Sequence, residues 1–235
     1  MWDATPEITR AVTPCIRSYP VAVEYGLIWI FPGDETLART TGLPVIGRLD
    51  DPTIVSLIVD ETFDAHHSLV MENFCDLYHE KLHERYQPFA NSVLVYHKRK
   101  PNGLEILYDT EFSRGLVLKY FLKDFRKNTK VLLDYTYPHL SLDFEGKQQL
   151  WIFMIPAGPQ KTRILAIFLS EFVIPFTRMT MPRWLSGPIT AMLASLYSRS
   201  FTHEDRVVLK YETESLSCYG SRYFGGSVPH TGRAN

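Results

Sequence analysis

The sequence predicts an α+β fold, and three observations carry that expectation. A helix-period segment runs from Thr62 or Asp64 to about Arg85, a long series of alternating apolar and polar residues follows Pro88, and helical period returns from about Pro182. Helices that flank a continuous antiparallel meander, instead of alternating with single strands, are the pattern of an α+β domain.

Residues 18 to 32 read as two short strands joined by a Gly-containing turn and closed by Pro-Gly-Asp. Residues 35 to 51 have no clear period and read as a linker, and a short β-like run covers Pro52 to Asp60. Thr62 or Asp64 can cap the first helix, and Pro88 lies just beyond its end. Val93 and Val95, then Pro-Asn-Gly, then Leu104, Ile106 and Tyr108 make a hairpin signal. The sequence VLLDYTYPHLSLDF and the apolar runs on either side of Gly158 continue the meander. Near the C-terminus, Gly187-Pro188 is expected to interrupt or restart a helix over 182–199, and a last helix is expected to open at Thr202. The Gly-, Ser- and Arg-rich residues 219–235 read as a disordered tail.

Hydrophobic residues make up 45% of the 235 and charged residues 22%, which suits a globular domain with a sizeable core. A formal net charge of -1 gives no field for nucleic acid, and none is expected as a partner. The three cysteines, Cys15, Cys75 and Cys218, are odd in number and far apart, so they suggest a reducing, cytoplasmic setting and no disulfide framework. No two of them form a C-x2-C pair. The first ten residues do not read as a signal peptide, and no apolar run reaches the ~18–20 residues that a transmembrane span needs.

Chemistry concentrates in Met71-Glu72-Asn73-Phe74-Cys75-Asp76-Leu77-Tyr78-His79-Glu80-Lys81-Leu82-His83. On an ideal helix Asp76 and His83 nearly superimpose, His79 falls between them and Asn73 lies one turn earlier. Two imidazoles four residues apart can share a metal ion, and a carboxylate one turn away can take the other ring N–H of a ligand histidine. Two histidines and an aspartate on a helix face are also commonly solvated or locally paired. HEKLH matches H-E-x-x-H, which in a zinc peptidase makes Glu80 the general base, but the extended pattern fails at Tyr86 and Phe89. Two histidines with one carboxylate would instead hold non-haem iron with open positions for dioxygen. Asp205 is the candidate carboxylate, and Thr202-x-x-Asp205 reads equally well as a helix cap.

Glu72 to His79 together with His83 resembles the iron-binding signature of Rieske-type ring-hydroxylating and related oxygenases. Tyr25-Gly26-Leu27-Ile28-Trp29-Ile30-Phe31-Pro32-Gly33-Asp34 is similar to the last strands of their Rieske domain. Tyr137-Pro138, Ile155-Pro156 and the helix of Glu204-Asp205 follow in matching order, so the resemblance covers about residues 2 to 215. It is most similar to the cyanobacterial and chlorophyll-pathway branch.

The resemblance implies mononuclear Fe(II) held by His79, His83 and Asp205. It implies Asp76 as the link to the 2Fe-2S cluster of a neighbouring subunit, and Asn73 as a residue near the iron. It further implies a helix-grip (Bet v 1-like) catalytic domain over residues 41–218, preceded by a Rieske-domain remnant over 1–40. Also implied are dioxygen, a bulky and largely apolar (aromatic or tetrapyrrole-like) substrate, a ferredoxin or reductase as electron donor, and a homotrimer. Two departures stand out. Three residues separate His79 from His83 where most relatives have four or five, which makes His203 an alternative ligand. The family's C-x-H and C-x2-H cluster ligands are absent, as expected of an N-terminally truncated chain. A helix-grip protein that only binds apolar ligands, and a zinc peptidase, are the rival readings.

Overall fold

The computed structural model describes residues 18–82, 89–112, 117–177 and 179–224, and the chain divides into two compact units, Met1–Leu49 and Asp50–Asn235. In the first unit, β1 (Val21–Glu24) and β2 (Leu27–Ile30) pair antiparallel. Tyr25 and Gly26 both have positive φ, 59° and 73°, which is the two-residue turn whose twist matches a hairpin. The expected linker contains α1 (Glu35–Ala38), whose first turn is capped by the Asp34 carboxylate accepting from Thr36 N–H at 2.8 Å.

The second unit is built on a seven-stranded antiparallel sheet. Its strands are β3 (Ile54–Phe63), β4 (Phe89–Lys100), β5 (Gly103–Phe112), β6 (Asn128–Thr136), β7 (His139–Phe144), β8 (Gln148–Gly158) and β9 (Lys161–Glu171), in the order β3-β9-β8-β7-β6-β5-β4. The meander from β4 to β9 is sequential, and β3 closes the far edge beside β9. Alternation fixes the register. Ile106, Leu133, Leu142, Leu150, Phe168 and Leu57 stand opposite one another in successive strands and form one apolar row across the sheet. At the β4–β5 turn Gly103 is required, because a Cβ there would lie 1.9 Å from the carbonyl oxygen of Tyr135.

The expected first helix is shorter and starts later. β3 runs through Thr62 to Phe63, and α2 spans His67–Cys75 with His66 as its N-cap. The α-helix ends at Asp76, where a carboxylate oxygen accepts from Tyr78 N–H at 2.8 Å, and a 3-10 helix, Leu77–Leu82, follows. A side chain that satisfies a nearby backbone donor competes with the helical ladder, which is why the periodic pattern overran the real boundary. The two expected C-terminal helices are instead one, α3 (Arg183–Phe224), with Pro188 inside it. Proline at that position deprives only the Trp184 carbonyl of its helical partner, and the helix continues past Thr202. It also runs on through Phe224, into the segment expected to be a tail; residues 225–235 lie outside the described residues.

α2 packs on β8 and β9, α3 packs on β3, and the two helices meet. The inner face of the sheet, with Val70, Cys75, Leu193 and Leu209 from the helices, encloses the core. Among the described residues no helix is long and apolar enough to cross a membrane.

Candidate metal centre

The end of α2 and the middle of α3 bring two of the candidate ligands together. His79 Nε2 lies 3.4 Å from Asp205 Oδ1, with the Asp205 side chain fully buried and that of His79 15% exposed. The His79 ring is oriented from its other side, where Nδ1 donates to the backbone oxygen of Asp76. That bond puts a ring proton on Nδ1, so in the neutral ring the Nε2 lone pair faces the carboxylate. Two acceptors so opposed need a proton or a cation between them. A charge-assisted N–H···O bond closes to roughly 2.7–2.9 Å. At 3.4 Å the pair is spaced as two donors are when each bonds one cation at roughly 2.0–2.2 Å.

Local structure holds this geometry. Tyr78 stacks edge-on against Tyr108 with centroids 6.0 Å apart, and its hydroxyl accepts from Leu94 N–H at 3.1 Å, so the 3-10 helix is tied to β4 and β5. The Tyr108 hydroxyl donates to Cys75 O at 3.3 Å and fastens the end of α2 to the sheet. On the other side Arg206, next to Asp205, pairs with Glu61 and fixes α3 to β3. Asp205 therefore sits in mid-helix, and the capping reading of Thr202-x-x-Asp205 does not hold.

Asn73 is buried in α2, and neither atom of its amide has a hydrogen-bond partner among the described residues. Asp76 is exposed and leaves the α-helix at its cap, so the ideal-helix superposition of Asp76 with His83 does not apply. His83 lies outside the described residues. His203 is exposed while Asp205 beside it is buried. The peptidase reading needs its two histidines on one α-helical face, but the described part of HEKLH is 3-10, where residues four apart diverge by about 120°. No group of three His, Cys, Asp or Glu side chains suited to a metal is gathered among the described residues, so His79 and Asp205 supply two donors.

One carboxylate near His79, that of Glu212, was missed in the sequence. Burial pushes the Glu212 carboxyl above its ordinary value, Glu72 and Asp76 push it the same way, and His79 opposes them. Glu212 is seven residues beyond Asp205, nearly two full turns along the same helix face, and that spacing was the available signal. Burial, followed by Glu72 and Asp76, raises the Cys75 thiol to about 12, so it is a packed apolar group and no thiolate ligand.

No family model matches the chain. The 4β-methylsterol monooxygenase of Methylococcus capsulatus is 34% identical over 88% of this chain and 57% of its own length. The oxygenase component of dicamba O-demethylase from Stenotrophomonas maltophilia is 36% identical over 27% of the chain and 19% of its own. The vanillate O-demethylase oxygenase subunit of a Pseudomonas species is 31% identical over 28% and 20%. The chain thus spans little more than half the length of the first relative, and the matched stretches cover about a fifth of each of the others. Among solved structures, dicamba monooxygenase bound to dicamba aligns with a TM-score of 0.64 at 17% identity, over 92% of this chain and 64% of that one. A quaternary ammonium Rieske monooxygenase aligns with a TM-score of 0.51 at 13% identity, over 87% and 52%.

Proposed function

Because this chain is a relative of the Rieske-type oxygenases and carries the fold of their catalytic domain, we propose that it oxidises a methyl group on a bulky, largely apolar substrate. The observation that carries the reading is His79 Nε2 facing the fully buried carboxylate of Asp205 at 3.4 Å. Each of the three relatives is named for a methyl compound or a demethylation. Iron bound between His79 and Asp205, with His83 as third ligand, would supply the activation of dioxygen. The balance is one dioxygen, two electrons and two protons per methyl group, giving a hydroxymethyl group and water.

The chain's own residues prepare that chemistry. Asp76 O holds the His79 ring in the tautomer that ligates. Arg206 and Glu61 hold the helix that carries Asp205. The apolar cluster between the sheet and the two helices, which includes Leu209 one turn from Asp205, keeps water from that carboxylate. Asn73 is the amide we assign to a polar group of the substrate or to dioxygen, since the described protein leaves both its atoms unmatched. Asp76, exposed beside the site, is the residue we assign to the cluster-bearing partner, with a ferredoxin or reductase behind it and a trimer as the assembly.

Anaerobic loading with Fe(II), followed by metal analysis, tests the reading. About one iron per chain is expected in the wild type, falling at least about tenfold in His79→Ala, His83→Ala and Asp205→Ala. A wild type that takes up no iron would overturn it, leaving His79 and Asp205 as an imidazolium–carboxylate pair in a protein that only binds apolar ligands.

A further inference from the structure

At the other end of α3 from its C-terminus, large apolar side chains are turned out to solvent. Phe176 is 95% exposed, Trp184 78%, Met179 64% and Tyr120 50%. Three of the four fall between positions 176 and 184. Tyr120 joins them from another segment, its ring 6.1 Å from that of Phe176. The backbone holds the two segments together, since Val173 N–H donates to Phe121 O at 2.7 Å, and within the second segment Ile174 N–H donates to Met179 O at 2.8 Å.

The turn that carries Phe176 is built against its own chemistry. Thr177 N–H donates to Ile174 O at 3.1 Å, Pro175 takes the second position, and Phe176 has φ 68° in the third. This is the pattern of a type II turn, whose third position favours glycine or asparagine because φ is positive. A bulky aromatic residue held there, and almost wholly in water, is disfavoured both by its backbone and by its hydration. Neither burden contributes to the core.

Charge points to what covers it. Among the described side chains of segments 117–127 and 172–184, Lys119, Lys123, Arg126 and Lys127 stand against a single carboxylate, Asp124, in a chain whose net charge is only -1. Lys123 and Lys127 are paired with Glu171 and Glu111, and Lys119 lies 5.1 Å over the Tyr120 ring. A two-fold contact of this surface with its own copy would bring like charges together. An anionic bilayer complements both features, because Trp, Tyr and Phe settle at the headgroup level while Lys and Arg meet the phosphates.

We propose that this aromatic and basic patch docks the protein on the surface of an anionic lipid bilayer, without spanning it. Such docking would set the domain where bulky apolar compounds partition. It goes beyond the iron site and stands or falls separately from it.

Flotation of the full chain with lipid vesicles tests the proposal. The chain is expected to float with phosphatidylcholine vesicles containing phosphatidylglycerol, far less with phosphatidylcholine alone, and to be released by salt. Phe176→Gly together with Trp184→Ser should lower the partition coefficient at least about tenfold, and Lys119→Glu should weaken binding to the anionic vesicles alone. Both altered apolar positions are exposed and glycine suits the φ of Phe176, so circular dichroism and iron uptake should match the wild type. No flotation with either vesicle, or flotation untouched by the double variant, would overturn the proposal. A wild-type dimer that the double variant dissociates, with no vesicle binding, would also overturn it and make the patch a contact between copies.

Discussion

Asn73 shows how one residue can be kept against the interest of the fold. It lies in α2, 4% exposed, with both amide atoms unmatched among the described residues. Leaving buried polar groups unsatisfied costs roughly 1–3 kcal/mol, and an apolar residue of similar size avoids that cost. Asn73→Leu should therefore raise the urea midpoint by an amount corresponding to roughly 1–2 kcal/mol. A midpoint that stays level or falls would mean that the amide is satisfied in the folded protein, and its assignment to substrate or dioxygen would lose its support. Phe176 has the same character at the surface, where φ 68° and near-complete exposure serve no packing contact in the sheet.

At the scale of elements, the strands were legible and the helix boundaries were not. β5, β6 and β7 alternate strictly, with Ile106 and Tyr108, Val131 and Leu133, and Leu140 and Leu142 turned inward, so period two alone located them. α2 was overextended because period 3.6 does not register that the Asp76 carboxylate caps Tyr78 N–H. α3 was cut in two because Gly187-Pro188 and Thr202 look like stop and start signals, while packing against β3 and α2 carries the helix past both. The site divides in the same way. His79 and Asp76 stood out by spacing, whereas Asp205 was a candidate carboxylate that read equally well as a helix cap until the resemblance favoured it, and only the continuous helix buries it.

β7 also bears a pH-sensitive element. His139 points away from the core row, its ring centroid 5.7 Å from that of Trp151 and 6.2 Å from that of Phe153. Burial holds this imidazole below its ordinary value of 6.5, with Asp134 opposing. The unfolded chain thus takes up the proton first as pH falls. The stability that the neutral ring contributes is complete above the unfolded value of 6.5 and is lost as pH drops below it. Urea midpoints should fall between about pH 7.5 and about pH 5.5 in the wild type, and less steeply in His139→Gln. Equal slopes in both proteins would place the titration elsewhere.

For the molecule as a whole, the metal centre would act as a clasp between segments far apart in sequence. His79 follows α2, Asp205 lies on α3, and each carrier is fastened to a different part of the sheet, through Tyr78 and Tyr108 on one side and Arg206 and Glu61 on the other. A cation bound by both side chains stabilises only the state in which the two helices are docked. Its contribution is RT ln(1 + [L]/Kd), or about 2.7 kcal/mol at a hundredfold excess over Kd. Cys75 reports on that docking, because its buried thiol, raised to about 12, lies at the end of α2 and is unreactive while the helix is seated. In a Cys15→Ser, Cys218→Ser background, alkylation of Cys75 should slow roughly a hundredfold when Fe(II) is added anaerobically at that excess, since labelling follows the population of the opened state. The same addition to His79→Ala should change nothing. Equal protection in both proteins would show iron binding elsewhere and would separate the clasp from the fold that surrounds it.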